Sequence, residues 1–185
     1  QRFARNGVDG ATLRDIVRTA GQANDAAVGY HFGSRDGLIR AIVDRHMEAM
    51  EAQRSQTLET LGDADLVDVV EMVVLPIAEL LTSPEGRDFL RIAAQLAEFS
   101  GVRAAQPSTD IEDTALAAQL GRLETLIAER IGRQRARERV ASLVTFLTAS
   151  LAERARAIER APGPATDRQR YVGELVAMLA AAMAA

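Results

Sequence analysis

The chain has 185 residues, 48% of them hydrophobic and 26% charged, with a formal net charge of −4; this fits an ordinary soluble globular protein with one sizeable core or two small ones. It contains no cysteine, which excludes disulfides, thiolate nucleophiles and cysteine-bound zinc. No apolar run reaches the roughly 20 residues that span a bilayer and the opening QRFARNG lacks a signal peptide's apolar stretch, so a cytoplasmic protein with no membrane partner is expected.

Helical periodicity recurs along the whole chain and no alternating strand pattern appears, so the fold is expected to be all-α. QRFARNG reads as the last turns of a helix that ends at Asn6 and Gly7, where glycine suits the left-handed C-terminal position. The next helix opens with Thr12 and Asp15 at capping-box spacing and carries Leu13, Ile16, Val17 and Ala20 as one apolar stripe. Gly21 stops it. Asn24 or Asp25 caps a short helix over about 25–31 whose exposed positions are the small residues Ala26, Ala27 and Gly29. Two short helices joined by a tight glycine-containing turn make a helix-turn-helix.

Ser34 is a suitable N-cap for a long helix to about residue 60, with Ile39, Ile42, Val43, His46, Met47 and Met50 as its stripe. Further helices are expected near 64–82, 85–99, 110–132, 135–160 and 167–184. Pro76 should kink or split the first of these, because proline removes a hydrogen bond and clashes with the preceding turn. Residues 100–110 read as a loop, and 160–167 (RAPGPATD) as the turn between the last two helices. In those two helices Val140, Leu143, Val144, Leu147 and Leu151 form one apolar stripe, and Val172, Leu175, Val176, Leu179 and Met183 another. Either both stripes only cover this subunit's core, or they also pack against a second copy as a four-helix bundle.

The ordered set Phe3, Gly7, Thr12, Ile16, Ala20-Gly21, Val28, Tyr30-His31-Phe32, Ser34-Arg35 and Leu38-Ile39 resembles the N-terminal domain of the TetR (tetracycline-repressor-like) family of bacterial transcription regulators. The resemblance covers residues 1 to about 45. It implies a three-helix DNA-binding domain over 1–46, its first helix incomplete, and an all-helical effector-binding and dimerisation domain over 47–185. It further implies a homodimer on double-stranded, palindromic operator DNA, most simply a repressor released by a small-molecule effector. The alternative is a helical small-molecule-binding protein without operator binding. Two departures stand out: nine residues, QANDAAVGY, separate Ala20-Gly21 from His31 where the commonest family form has eight, and Gly29 occupies a place often held by a DNA-touching tyrosine. Tyr30 is next to it and can take that role.

On this reading phosphate contacts position the protein and base contacts specify sequence. Thr12 and Arg14 lie at a helix N-terminus, which favours phosphate, although Thr12 is equally a plain cap and Arg14 a plain solvated side chain. Arg35 can grip a phosphate bidentately, and Tyr30 and His31 carry donors for backbone oxygens. Asn24 and Gln22 can pair with adenine, and Ala26 and Ala27 can touch a thymine methyl; Asn24 is equally well read as a cap. The basic balance of residues 1–45, seven Arg against five Asp, leaves −6 on the other 140 residues and agrees with a DNA head, but weakly.

No enzyme is expected. His31 and His46 are the two histidines; they lack metal-ligand spacing to each other, and no nucleophile, metal or phosphate-loop motif accompanies them. No cofactor or metal is expected, and His46 reads as a hydrogen-bonded core histidine near the junction of the two domains. For an effector site the candidates are Met72, Gln95, Phe99, Phe146 and Thr148, on or beside apolar stripes that serve a plain core equally well. For a dimer interface they are Val140, Val144, Leu147, Leu151, Val172, Val176, Leu179 and Met183.

Overall fold

The computed structural model describes residues 34–99, 113–161 and 165–185. The expected helix-turn-helix, the 100–110 loop and the centre of the 160–167 turn lie outside the described residues. Among the described residues there are six α-helices and two short 3-10 segments, without a strand, as the periodicity predicts.

Helix α1 spans Arg35–Ser55. Ser34 is extended and its Oγ accepts from the Gly37 N–H at 3.0 Å, the N-cap that satisfies one of the free donors of the first turn. The α-helix stops at Ser55 rather than near 60 and gives way to a 3-10 turn, Leu58–Thr60. Here hydroxyls turn back onto the chain: Ser55 donates to the Glu51 carbonyl at 2.9 Å and Thr57 to the Arg54 carbonyl at 2.8 Å. Side chains that compete for helix carbonyls weaken the helix end in this way.

Helix α2 spans Leu66–Ala78 behind a complete capping box. Asp65 Oδ1 accepts from Val67 N (2.8 Å) and Asp68 N (3.0 Å), while Asp68 Oδ2 accepts from Asp65 N (3.2 Å). Val69, Val70, Val73 and Val74, at one-face helical spacing, are buried in the core together with Ala78. The α geometry continues through Pro76 to Ala78 and then tightens into the 3-10 segment Glu79–Thr82. Proline's missing N–H thus shortens the helix instead of kinking its centre.

Helix α3 is Pro84–Phe99, α4 Ala115–Ile131, α5 Arg133–Arg160 and α6 Ala165–Ala184. Pro84 opens α3 at the first helical position, where a missing N–H costs nothing, and Ser83 Oγ accepts from Gly86 N at 2.9 Å. Helix α5 packs against α3 and α4, whereas α6 packs against α2. Leu90, Leu123, Ile127, Leu143, Leu151 and Leu175 join the α2 valines in one core. Seven of the eight residues considered for a dimer interface (Val140, Leu147, Leu151, Val172, Val176, Leu179 and Met183) are buried in this subunit, and Val144 is half-buried against the same core. Their side chains therefore serve the subunit's own interior, because each stripe has a helix of the same chain laid over it.

Polar fastenings join the helices at their edges. Arg91, buried on α3, donates to Asp88 and to Glu159 of α5. Between α5 and α6, Arg154 pairs with Asp167 at 2.5 Å, lies 4.9 Å over the Tyr171 ring, and the Tyr171 hydroxyl donates to the Ser150 carbonyl at 3.0 Å. Arg170 first, and Arg154 second, hold the Asp167 carboxyl below the usual range.

Candidate functional site

Of the residues expected to touch DNA, Thr12, Arg14, Gln22, Asn24, Ala26, Ala27, Tyr30 and His31 lie outside the described residues. Arg35 is the first residue of α1, directly after the Ser34 cap. The boundary expected at residue 46 falls inside this helix.

The effector candidates whose side chains are described, Met72, Gln95, Phe146 and Thr148, do not line one common groove. Phe146 is 47% exposed on α5, and the neighbouring Thr148 spends its hydroxyl on the Val144 carbonyl at 2.8 Å. Gln95 is half-buried on α3, and the Phe99 side chain lies outside the described set. Of these described candidates, Met72 lines the groove of about 460 Å³ formed by the end of α1, the 3-10 turn and α2. Its other walls carry Arg54, Thr57, Asp63, Asp68 and Glu71, with Leu75 and Pro76 on the apolar side.

Arg54 is the unusual member. It is 3% exposed, and neither its Nε nor its Nη1 has a hydrogen-bond partner. Burial pushes its guanidinium pKa below the ordinary value, and the Glu51 carboxylate acts in the opposite direction. Yet Glu51 is engaged elsewhere: its carboxylate accepts from the Ala115 and Leu116 N–H groups at the start of α4, where exposed amides and the helix dipole favour negative charge. Next to it Gln119, fully buried on α4, donates from Nε2 to Thr57 Oγ1 at 3.2 Å and leaves Oε1 without a partner. A polar layer thus lies where α1, the 3-10 turn and α4 meet.

Sequence reasoning missed Arg54, Glu51 and Gln119. One signal pointed to Arg54: it stands four residues after Met50 and continues the stripe Ile39, Ile42, Val43, His46, Met47, Met50. An arginine on such a stripe is commonly read as one whose stem lies on apolar surface while its head reaches water. His46 of the same stripe is half-buried, with its ring 4.4 Å from that of Phe89 on α3 and tilted by 33°. An aromatic neighbour therefore stands where a hydrogen-bonding one was expected, and burial first, with Arg45 second, lowers its pKa below 6.5.

Residues 1–42 match the family model described as bacterial regulatory proteins, tetR family. Those residues carry the DNA-binding segment of a TetR-family regulator. The match covers residues 1–33, which lie outside the described set, and runs on into the first turns of α1. It favours the regulator over a ligand-binding protein without DNA binding. No curated protein matches the chain. No described helix of the chain is long and apolar enough to cross a membrane, and the described residues contain no cluster of three or more metal-ligating side chains.

Proposed function

We propose that this regulator acts as a cytoplasmic homodimeric repressor that holds a palindromic operator and releases it when a small molecule binds the helical body. The observation that carries the reading is the continuity of α1. Its first turns belong to the matched TetR segment, and its last turns carry Arg54 in the groove wall and Glu51 on the α4 N-terminus. A ligand that moves the end of α1 against α4 acts on the same rigid element that carries the DNA head. On this reading labour divides near residue 46, with DNA contacts before it and effector and dimer contacts after it.

In the dimer, the second copy packs on the outer faces of α5 and α6 beside their buried stripes, where Phe146 and Met178 keep 47% and 48% of their surface open. Two heads then reach successive major grooves about 34 Å apart. Thr12, Arg14, Tyr30, His31 and Arg35 serve the phosphates, and Gln22, Asn24, Ala26 and Ala27 the base edges. A gel shift with the DNA upstream of its own gene, across a salt series and with competitor DNA, tests the reading. Specific binding that weakens steeply with salt is expected, since phosphate neutralisation releases counterions. Absent or salt-insensitive binding would sink it, and sedimentation showing a monomer at micromolar concentration would remove the dimer.

A further inference from the structure

We propose that the groove between the end of α1 and α2 binds a small amino-carboxylate zwitterion, with its carboxylate on Arg54 and its ammonium group among Asp63, Asp68 and Glu71. This names the ligand class for the effector role above and rests on that reading for its regulatory meaning only.

The guanidinium of Arg54 is taken out of water, and two of its nitrogens have no partner. Buried charges without partners are strongly unfavourable and are normally paired or hydrogen-bonded. Glu51, the carboxylate one helical turn away, is already committed to the α4 amides of Ala115 and Leu116. Arg54 therefore offers a planar donor fork to an acceptor from outside, and a carboxylate is the natural complement of that fork.

The rest of the lining decides what else the ligand carries. Asp63, Asp68 and Glu71 are exposed on the same groove, so one buried cation faces a rim of three carboxylates. A dianion would be repelled by that rim, and a simple amine would leave Arg54 unsatisfied. A molecule with one carboxylate directed inward and one ammonium group at the rim meets both. The half-buried Met72 with Leu75 and Pro76 provides an apolar wall for a short alkyl chain between the two charges. The volume of about 460 Å³ lies within the range usual for small-molecule sites.

The test uses calorimetric titration of the full chain, without DNA, with 4-aminobutanoate, 6-aminohexanoate, hexanoate and hexylamine. At least one of the two zwitterions should bind saturably and at least tenfold tighter than hexanoate or hexylamine. Arg54→Met, checked for folding by its thermal melt, should lose that binding at least tenfold. The surface double variant of Asp63→Asn and Glu71→Gln should shift preference toward hexanoate, which keeps the test alive should Arg54→Met fail to fold. No saturable binding of any probe, equal binding by Arg54→Met, or an unchanged preference in the double variant overturns the proposal. The gel shift is then repeated with the bound zwitterion. Binding without operator release keeps the site and removes its effector role, while intact operator binding with no zwitterion binding overturns the site alone.

Discussion

The carboxylate of Glu51, near the end of α1, caps the first backbone N–H of α4 at Ala115. Residues 64 positions apart are thereby joined by a charge-assisted bond to a helix N-terminus, with the neighbouring Leu116 N–H at 3.4 Å sharing the same carboxylate. Thr114 supplies the ordinary cap to Ala117 N at 3.1 Å. The α4 start is therefore held both by its own chain and by α1.

Glu51→Ala removes the tertiary half of that cap. The expected cost is about 1–2 kcal/mol, the range of a lost cap with a favourable dipole interaction. Urea unfolding should show a lower midpoint with an unchanged slope, and hydrogen exchange should quicken at the α4 amides 115–117. Unchanged exchange there would show that Thr114 suffices.

Two glycines should respond in opposite directions. Gly132 joins α4 to α5 at φ +84° and ψ 151°, a region essentially restricted to glycine, so Gly132→Ala should destabilise by about 1–3 kcal/mol. Gly121 lies exposed within α4 with nothing within 4 Å of an added Cβ. Gly121→Ala should stabilise by up to about 1 kcal/mol through helix propensity. Thermal melts of both variants decide the matter, and equal signs would contradict the assignment of Gly132 as the turn residue.

Gly86 poses a different constraint, since its φ is ordinary but a Cβ there would sit 2.2 Å from the Leu80 carbonyl oxygen and 2.8 Å from Leu80 Cα. Backbone cannot give way as a side-chain tip can. Gly86→Ala should force α3 away from the 3-10 segment and cost about 1–3 kcal/mol or more, read as a fall in melting temperature. A neutral outcome would mean that the two elements can separate freely.

The pH response of His46 has a definite sign. Its folded pKa lies below 6.5 through burial and then Arg45, so between the folded and unfolded values the unfolded chain binds more protons. Stability from this group is fully present above about 6.5 and is lost as pH falls through the folded pKa. His46→Phe, which keeps a ring against Phe89, should flatten that part of the profile relative to the parent chain. Identical urea midpoints from about pH 8 to about pH 5 in both proteins would remove His46 as the source.

The sequence makes visible what depends on spacing and local chemistry. Ser34 as a cap and the stripes of α5 and α6 follow from residue types a few positions apart, and the ordered head motif agrees with the match over 1–42. What covers a stripe is a tertiary matter. Val140 and Val176 look the same on paper whether an α-helix of this chain or of a second copy lies over them, and here the chain's own helices do. Arg54 escaped notice because an arginine following Met50 signals only a long side chain beside apolar surface. Its orphaned state depends on Glu51 being drawn to Ala115, a relationship between distant residues that no local pattern records. Phe146 and Gln95 have suitable chemistry but are not among the residues that line the groove with Met72.

Helix α1 runs 21 residues without interruption, about 32 Å at the usual rise per residue. A tilt of about 5° pivoting at its Arg54 end would carry the Ser34 end through about 3 Å, close to the ~3.4 Å step between stacked bases along one strand. On the proposed reading, a small local rearrangement at the pivot is all that a ligand would need to supply for such a lever to shift its Ser34 end by about one base step.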